Sequence, residues 1–242
     1  LNKQFGFSGK FPYTFFEKVI GIVKDDQNDT AHGYLRKIQR AYWFAKTVHR
    51  GQKRDEGERY FEHCRRVACL LIDHDGYIEN KAVGIITALL HDCIEDCFIP
   101  EGIMIRCFGL MIGFVNVLSK VRPIFDPLTG VVTGTIERSD DEYYAGISEW
   151  GAITKYIKCF DRLDNLRSMS VWPKERQEKY IAETEKYILP IAKRTDKTLY
   201  RLLLEEIAKI KKKGATHMIV VCDTFDYEDY PVYVEKGESV FD

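Results

Sequence analysis

Between Thr30 and Gly214, apolar residues return at intervals of three and four, and Gly or Pro interrupts them again and again. That period belongs to helices with one buried stripe. It leaves few runs with the strict alternation of a half-buried strand. The pattern predicts an all-α bundle of short helices. Thr30 caps the first, whose face is Leu35, Ile38, Ala41, Tyr42, Ala45 and Val48, and Gly51 ends it. A second runs from about Tyr60 to Asp73 and breaks at His74-Asp75-Gly76, and a third runs from Asn80 to about Asp96. Pro100 suits the first turn of a fourth helix, which stops at Gly109, and a fifth covers Met111 to Val121. Ser139-Asp140-Asp141-Glu142 reads as a helix start with acids at the positive end of the dipole. Helical character then continues to about Met169, with a break near Gly146–Gly151. Pro173 opens another helix, and Asp196 to Lys213 forms the last.

The pattern divides the chain into three parts. Residues 1–30, rich in Phe, Gly and Lys, read as an arm with one short helix folded over the body. Residues 31–213 form the helical domain. Residues 214–242 read as a small β-hairpin or truncated extension, because Met218–Cys222 is β-branched and Tyr230–Val234 follows an acidic, aromatic turn. Arg122 to Thr135, with its Pro, Gly and Thr, reads as the longest loop of the body.

The composition excludes several classes. A chain of 242 residues buries enough surface to fold without disulfides. The formal net charge is -1, without the basic excess of a non-specific nucleic-acid binder. No apolar run approaches the ~20 residues of a membrane span, and no signal-peptide pattern opens the chain. The expectation is a protein with neither nucleic-acid nor membrane partners. Seven cysteines, an odd number, lie mostly in apolar helical stretches, where free Cys acts as a small hydrophobe. This points to a reducing compartment, the cytoplasm. Cys93 and Cys97 have helical spacing and no second thiol pair beside them, so they read as core rather than as half of a zinc site.

Five places carry polar groups inside apolar, helical surroundings. In His91-Asp92-Cys93-Ile94-Glu95-Asp96, after the apolar run Ile85–Leu90, four ionisable side chains share one helix flank. Crowding three carboxylates there is costly unless a cation joins them. A solvated helix end is the competing reading, weakened because acids at a carboxyl end oppose the dipole. Asp161, Asn165 and Ser168 form a polar stripe, which a surface ladder of ion pairs would also produce. His63 is a lone helical His, of interest only if a metal site lacks a nitrogen. With His91, Asp92 and Asp161 it completes a set of two His and two carboxylates that suits a divalent ion such as Mn²⁺. The cationic loop His49–Gly57 contains Arg54, which could stack on a base or clamp an anion, or be no more than a solvated connector. Lys120, in Ser119-Lys120, stands where a phosphate-facing cation is plausible.

The order of these elements resembles a known family. The series His49…Gly51-Gln52-Lys53-Arg54…Gly57-Glu58-Arg59-Tyr60-Phe61-Glu62-His63, then Leu89-Leu90-His91-Asp92-Cys93-Ile94-Glu95-Asp96, then Phe108-Gly109, Leu118-Ser119-Lys120 and Asp161-Arg162-Leu163-Asp164-Asn165-Leu166-Arg167-Ser168, is similar to the HD-domain hydrolases of guanosine tetraphosphate. These are the hydrolase domains of RelA/SpoT homologues and their small single-domain relatives. The resemblance covers roughly Gly33 to Lys197. It implies an HD-domain helical bundle around one Mn²⁺, held by His63, His91, Asp92 and Asp161. It implies that Glu95 and Asp96 handle the nucleophilic water and proton transfer. Arg54 would lie against the guanine base, with Asn165 and Ser168 on the nucleotide side. Cys64 and Arg59 stand where the family has prolines, Asp55 where a Lys or Ser is common, Asp164 where it has a His, and the stretch from Lys120 to Asp161 is long.

The resulting expectation is a Mn²⁺-dependent 3′-pyrophosphohydrolase of guanosine tetra- or pentaphosphate, with a small-molecule nucleotide as its partner. No domain of synthetase size follows, so hydrolysis alone is expected. The alternatives are an HD phosphohydrolase of another phosphorylated nucleotide, such as the 2′-phosphate of NADPH, and a binding module that sequesters a nucleotide.

Overall fold

The computed structural model describes residues 10–24, 30–76, 78, 80–214, 217–222 and 229–234. The chain falls into two compact units, Leu1–Asp161 and Arg162–Asp242.

The first unit contains α1 (Lys10–Lys24), α2 (Thr30–Val48), α3 (Phe61–Asp73), α4 (Lys81–Leu90), α5 (Glu101–Phe108) and α6 (Ile112–Leu118). A ribbon of β1 (Val121–Phe125) and β2 (Val132–Glu137) follows, then α7 (Asp140–Glu149) and α8 (Ala152–Ser168) as far as Asp161. The core runs along α4. Ala82 and every residue from Gly84 to Leu90 are buried, as expected of a helix that is apolar all round. A Cβ on Gly84 would meet Leu71 Cδ1 at 3.2 Å, so the glycine lets α3 and α4 approach closely. Asn80 starts α4 by accepting a bond from the Val83 amide at 3.2 Å. Phe15 and Phe16 of α1 pack on Tyr42, with ring centroids 5.3 and 5.1 Å away.

The regular part of the third expected helix stops at Leu90, and His91–Cys97 continues as tight turns. The Cys93 amide reaches the Leu90 carbonyl at 3.0 Å. Residues 122–135, expected as a loop, instead form most of the β1–β2 ribbon. It is antiparallel, pairs Val121 with Glu137 and Pro123 with Thr135, and has an irregularity at Ile124/Phe125. Asp126 shapes its turn by accepting from the Leu128 and Thr129 amides at 3.0 and 2.7 Å. The stretch Glu101–Leu118, with a mean hydropathy of 1.6, is apolar and long enough by composition to cross a membrane, which the sequence reading passed over. Gly109, at φ 74, ends α5 within it.

The second unit holds the rest of α8, α9 (Lys174–Glu183), a π-helical segment Thr184–Ile188, α10 (Leu189–Thr195) and α11 (Lys197–Gly214). Pro190 in the first turn of α10 cannot donate to the preceding turn, consistent with the widened ladder before it. Arg162 is buried. Its guanidinium donates to Glu183 Oε1 at 2.7 Å and Thr184 Oγ1 at 3.2 Å, and lies 3.9 Å from the Tyr180 ring centroid. The expected carboxyl-terminal hairpin is present as β3 (His217–Cys222) paired antiparallel with β4 (Asp229–Val234). Among the described residues the structure is helical with two small hairpins, one more than expected.

Candidate active site

Three helical segments of the first unit bring His63, His91, Asp92 and Asp161 together. His63 is on the buried face of α3, His91 and Asp92 follow α4, and Asp161 lies on α8. His63 Nε2 is 3.2 Å from Asp161 Oδ1 and 3.6 Å from Asp92 Oδ2. His91 Nε2 is 3.1 Å from Asp92 Oδ2 and 3.9 Å from Asp161 Oδ1. One ligand atom from each of His63, His91 and Asp92 falls within 4.8 Å of the others.

The donor set fits a divalent cation. His91 Nδ1 is 2.8 Å from the Ala88 carbonyl, which fixes the ring and turns Nε2 toward the carboxylates. Nε2 itself is buried and makes no hydrogen bond of good geometry. Tyr60 donates its hydroxyl to Asp92 Oδ2 at 2.9 Å, and Lys158 donates to Asp161 Oδ2 at 2.8 Å. Each carboxylate therefore has one oxygen oriented by the protein, the arrangement that positions a metal ligand. Burial works against charge on the His91 imidazole, yet Asp92 and Asp161 outweigh it and raise the group to about 9. Burial also opposes ionisation of Asp161, but Lys158 and the two histidines hold its carboxyl well below the usual range. A cation held between neutral imidazoles would draw on the same negative field.

Glu95 and Asp96 extend this cluster. Glu95 Oε2 accepts from the Lys120 main-chain amide at 2.8 Å. Burial and the Asp92 charge raise Glu95, against Lys158 and the Lys120 and Val121 amides. Burial and Asp92 push Asp96 up to about 7, although its hydrogen bond with Tyr60 pulls the other way. The pair offers one carboxyl near neutrality and a neighbour fixed in place, as general acid–base work requires.

The cationic loop before α3 is closed by its own bonds. Arg54 N donates to Glu58 O at 2.9 Å, and Tyr60 N to Gln52 O at 3.0 Å. His49 stacks on Tyr60 with centroids 4.9 Å apart, and Gln52 Nε2 donates to the Asp96 carbonyl at 2.8 Å. The loop is thus tied to the acidic turns. Arg54 Nε donates to Glu56 Oε1 at 2.9 Å. The Lys120 ammonium pairs with Glu137 at 3.0 Å and Asp140 at 2.7 Å, so it is the Lys120 amide that reaches Glu95. Asn165 and Ser168 continue α8 in the second unit, where Ser168 Oγ donates to the Asp164 and Asn165 carbonyls at 3.2 Å. The sulfurs of Cys64, Cys93 and Cys97 lie 3.9, 3.8 and 3.2 Å from His49 nitrogens. Burial pushes the Cys97 thiol up to about 12.

Tyr60 and Lys158, which orient the two carboxylates, are not among the residues the sequence singles out. Lys158 was legible in part, since a residue three before Asp161 shares its helix face.

Residues 41–114 match the HD domain family. The chain is 30% identical over 174 residues to a GTP pyrophosphokinase of Brucella melitensis, covering 71% of this chain and 22% of the relative. It is 29% identical over 202 residues to a GTP pyrophosphokinase of Streptomyces coelicolor, covering 81% and 22%. A probable chloroplastic GTP diphosphokinase of Arabidopsis thaliana is 27% identical over 174 residues, covering 70% and 23%. The chain spans about a quarter of the length of these curated relatives. A solved metazoan orthologue of SpoT, described as hydrolysing ppGpp, superposes with a TM-score of 0.57 at 22% identity. That match covers 72% of this chain and 95% of the other and is a likeness of fold. The sequence match is to the HD domain and to these longer relatives, and the likeness to the SpoT orthologue is one of fold.

Proposed function

We propose that this HD-domain chain is a Mn²⁺-dependent phosphohydrolase that removes the 3′-pyrophosphate of guanosine tetra- or pentaphosphate, leaving GDP or GTP. The observation that carries the reading is the convergence of His63, His91, Asp92 and Asp161 beside the Glu95–Asp96 pair. Two imidazoles and two carboxylates suit a borderline-to-hard cation, and His91 Nε2, buried 3.1 Å from Asp92 Oδ2, makes no hydrogen bond of good geometry. The curated relatives are named for the synthetic reaction, but this chain matches only about a quarter of their length, and its residues 41–114 match the HD domain.

In the reaction, water adds to the phosphorus bonded to the ribose 3′-oxygen. That P–O bond breaks, a water proton leaves to a base, and the 3′-oxygen gains a proton. The bound cation would polarise a phosphoryl oxygen and make water more acidic. Asp96, raised to about 7, accepts the water proton. Glu95, raised by burial and fixed on the Lys120 amide, serves the leaving oxygen. Tyr60 and Lys158 hold Asp92 and Asp161 in orientation. Arg54 would lie against the guanine, with Asn165 and Ser168 on the nucleotide side, and Lys120, expected from sequence to face phosphate, has its ammonium on Glu137 and Asp140.

The test is a panel of phosphorylated nucleotides, including guanosine tetraphosphate and NADPH, assayed with Mn²⁺ for pyrophosphate against orthophosphate. Pyrophosphate release from guanosine tetraphosphate is expected. Release of orthophosphate from NADPH alone would replace the substrate, and binding without turnover would make the chain a sequestering module.

A further inference from the structure

The β1–β2 ribbon begins where the main chain holds Glu95, and its far end closes back on that same point. The carbonyls from Asn116 to Lys120 are all taken from this side. Arg138 Nη2 donates to Asn116 O at 3.0 Å, to Val117 O at 3.1 Å and to Ser119 O. Tyr143 donates its hydroxyl to Leu118 O at 2.6 Å, and the Arg138 amide donates to Lys120 O at 3.1 Å. The last carbonyls of a helix have no partner within it, so a planar guanidinium can gather several at the end of α6. With its carbonyls fixed on one side, the strand start presents the Lys120 amide to Glu95 on the other.

We infer that Arg138 is a positioning residue for Glu95, acting through the Ser119–Val121 backbone at the base of the ribbon. The inference rests on the reading that Glu95 moves protons in the hydrolysis. Arg138 touches neither the metal ligands nor the acid itself. It sets the direction of the amides that hold the acid. All three bonds come from Nη2, which stands one bond farther from the main chain than a lysine ammonium, so a lysine keeps the charge but falls short of the carbonyls.

The experiment uses Arg138→Met and Arg138→Lys in the whole chain, with folding checked by circular dichroism. Two readouts follow. The first, independent of substrate, is hydrogen exchange of the Lys120 amide by NMR. It is slow in the wild type and faster in both variants. The second is Mn²⁺-supported hydrolysis of guanosine tetraphosphate. Both variants lose roughly 10–100-fold in kcat, the scale of a misplaced catalytic group, with KM and calorimetric Mn²⁺ affinity unchanged. Placed on Glu95→Gln, Arg138→Met adds no further loss, because the group it positions is already disabled. Unchanged Lys120 exchange, full activity of Arg138→Lys, or independent multiplying losses in the double variant would each overturn the inference. If Arg138→Met does not fold, Arg138→Lys decides alone. A wild type inert toward guanosine tetraphosphate overturns the proposed function, and amide exchange still decides the role of Arg138.

Discussion

Replacing Asp161 by Asn tests the metal centre through stability, without any substrate. Asp161 Oδ1 faces His63 at 3.2 Å, and Oδ2 takes the Lys158 ammonium at 2.8 Å, with both partners largely buried. Asparagine keeps the shape and one oxygen for Lys158, so the metal-free loss is the charge-assisted part of one bond, less the relieved desolvation of the acid. That is about 1 kcal/mol. Metal binding adds to stability as RT ln(1 + [L]/Kd). At a Mn²⁺ concentration 100 times the wild-type Kd, the wild type gains about 2.7 kcal/mol. A variant bound 100-fold more weakly gains about 0.4 kcal/mol at the same concentration. The gap between the two proteins should therefore widen from about 1 to about 3 kcal/mol when chelator is exchanged for Mn²⁺. Urea unfolding in both conditions measures it. An equal Mn²⁺-induced gain in both proteins would show that Asp161 is not a ligand.

Two further outcomes follow. Because the Asp96 carboxyl sits at about 7, its basic form accumulates as pH rises through neutrality, and so should kcat; Asp96→Asn should flatten that limb of the pH–rate profile and lower kcat by roughly 10²–10⁴-fold. Arg162→Met leaves Glu183 without its buried guanidinium, but Glu183 is 28% exposed and can turn to water. The cost should fall at the low end of the range for broken buried pairs, about 3 kcal/mol by denaturant unfolding, and a loss below ~1 kcal/mol would show that the pair does not anchor α9.

The helices were legible because their ends carry local chemistry. Thr30, Asn80, Ser139, Pro173 and Asp196 sit at or beside the starts of helices, and a cap needs only its neighbours in sequence. The β1–β2 ribbon was not legible, because it is exposed on much of both faces and has no alternating apolar stripe to read; Leu128 at its tip is 94% exposed. Its Pro123, Gly130 and Gly134 resemble loop residues. In the site, residue types and order singled out His63, His91, Asp92 and Asp161, since few structural reasons gather such groups in apolar helices. Their orienting partners were not visible. Lys158 and Tyr60 are ordinary residues until the fold brings them to a carboxylate, and the value of Lys120 to Glu95 lies in its backbone, which no sequence pattern marks.

His63 and Asp161, whose side chains nearly touch, are separated by about 100 residues of chain, whereas His91 and Asp92 are adjacent. Joining α3 to α8 closes a long loop, an entropic cost that precedes any reward from the contact. On the ribosome, a nascent chain that has released α3 and α4 owns three of the four groups yet lacks the fourth until α8 emerges. The four-group cluster is complete only once α8 has joined α3 and α4.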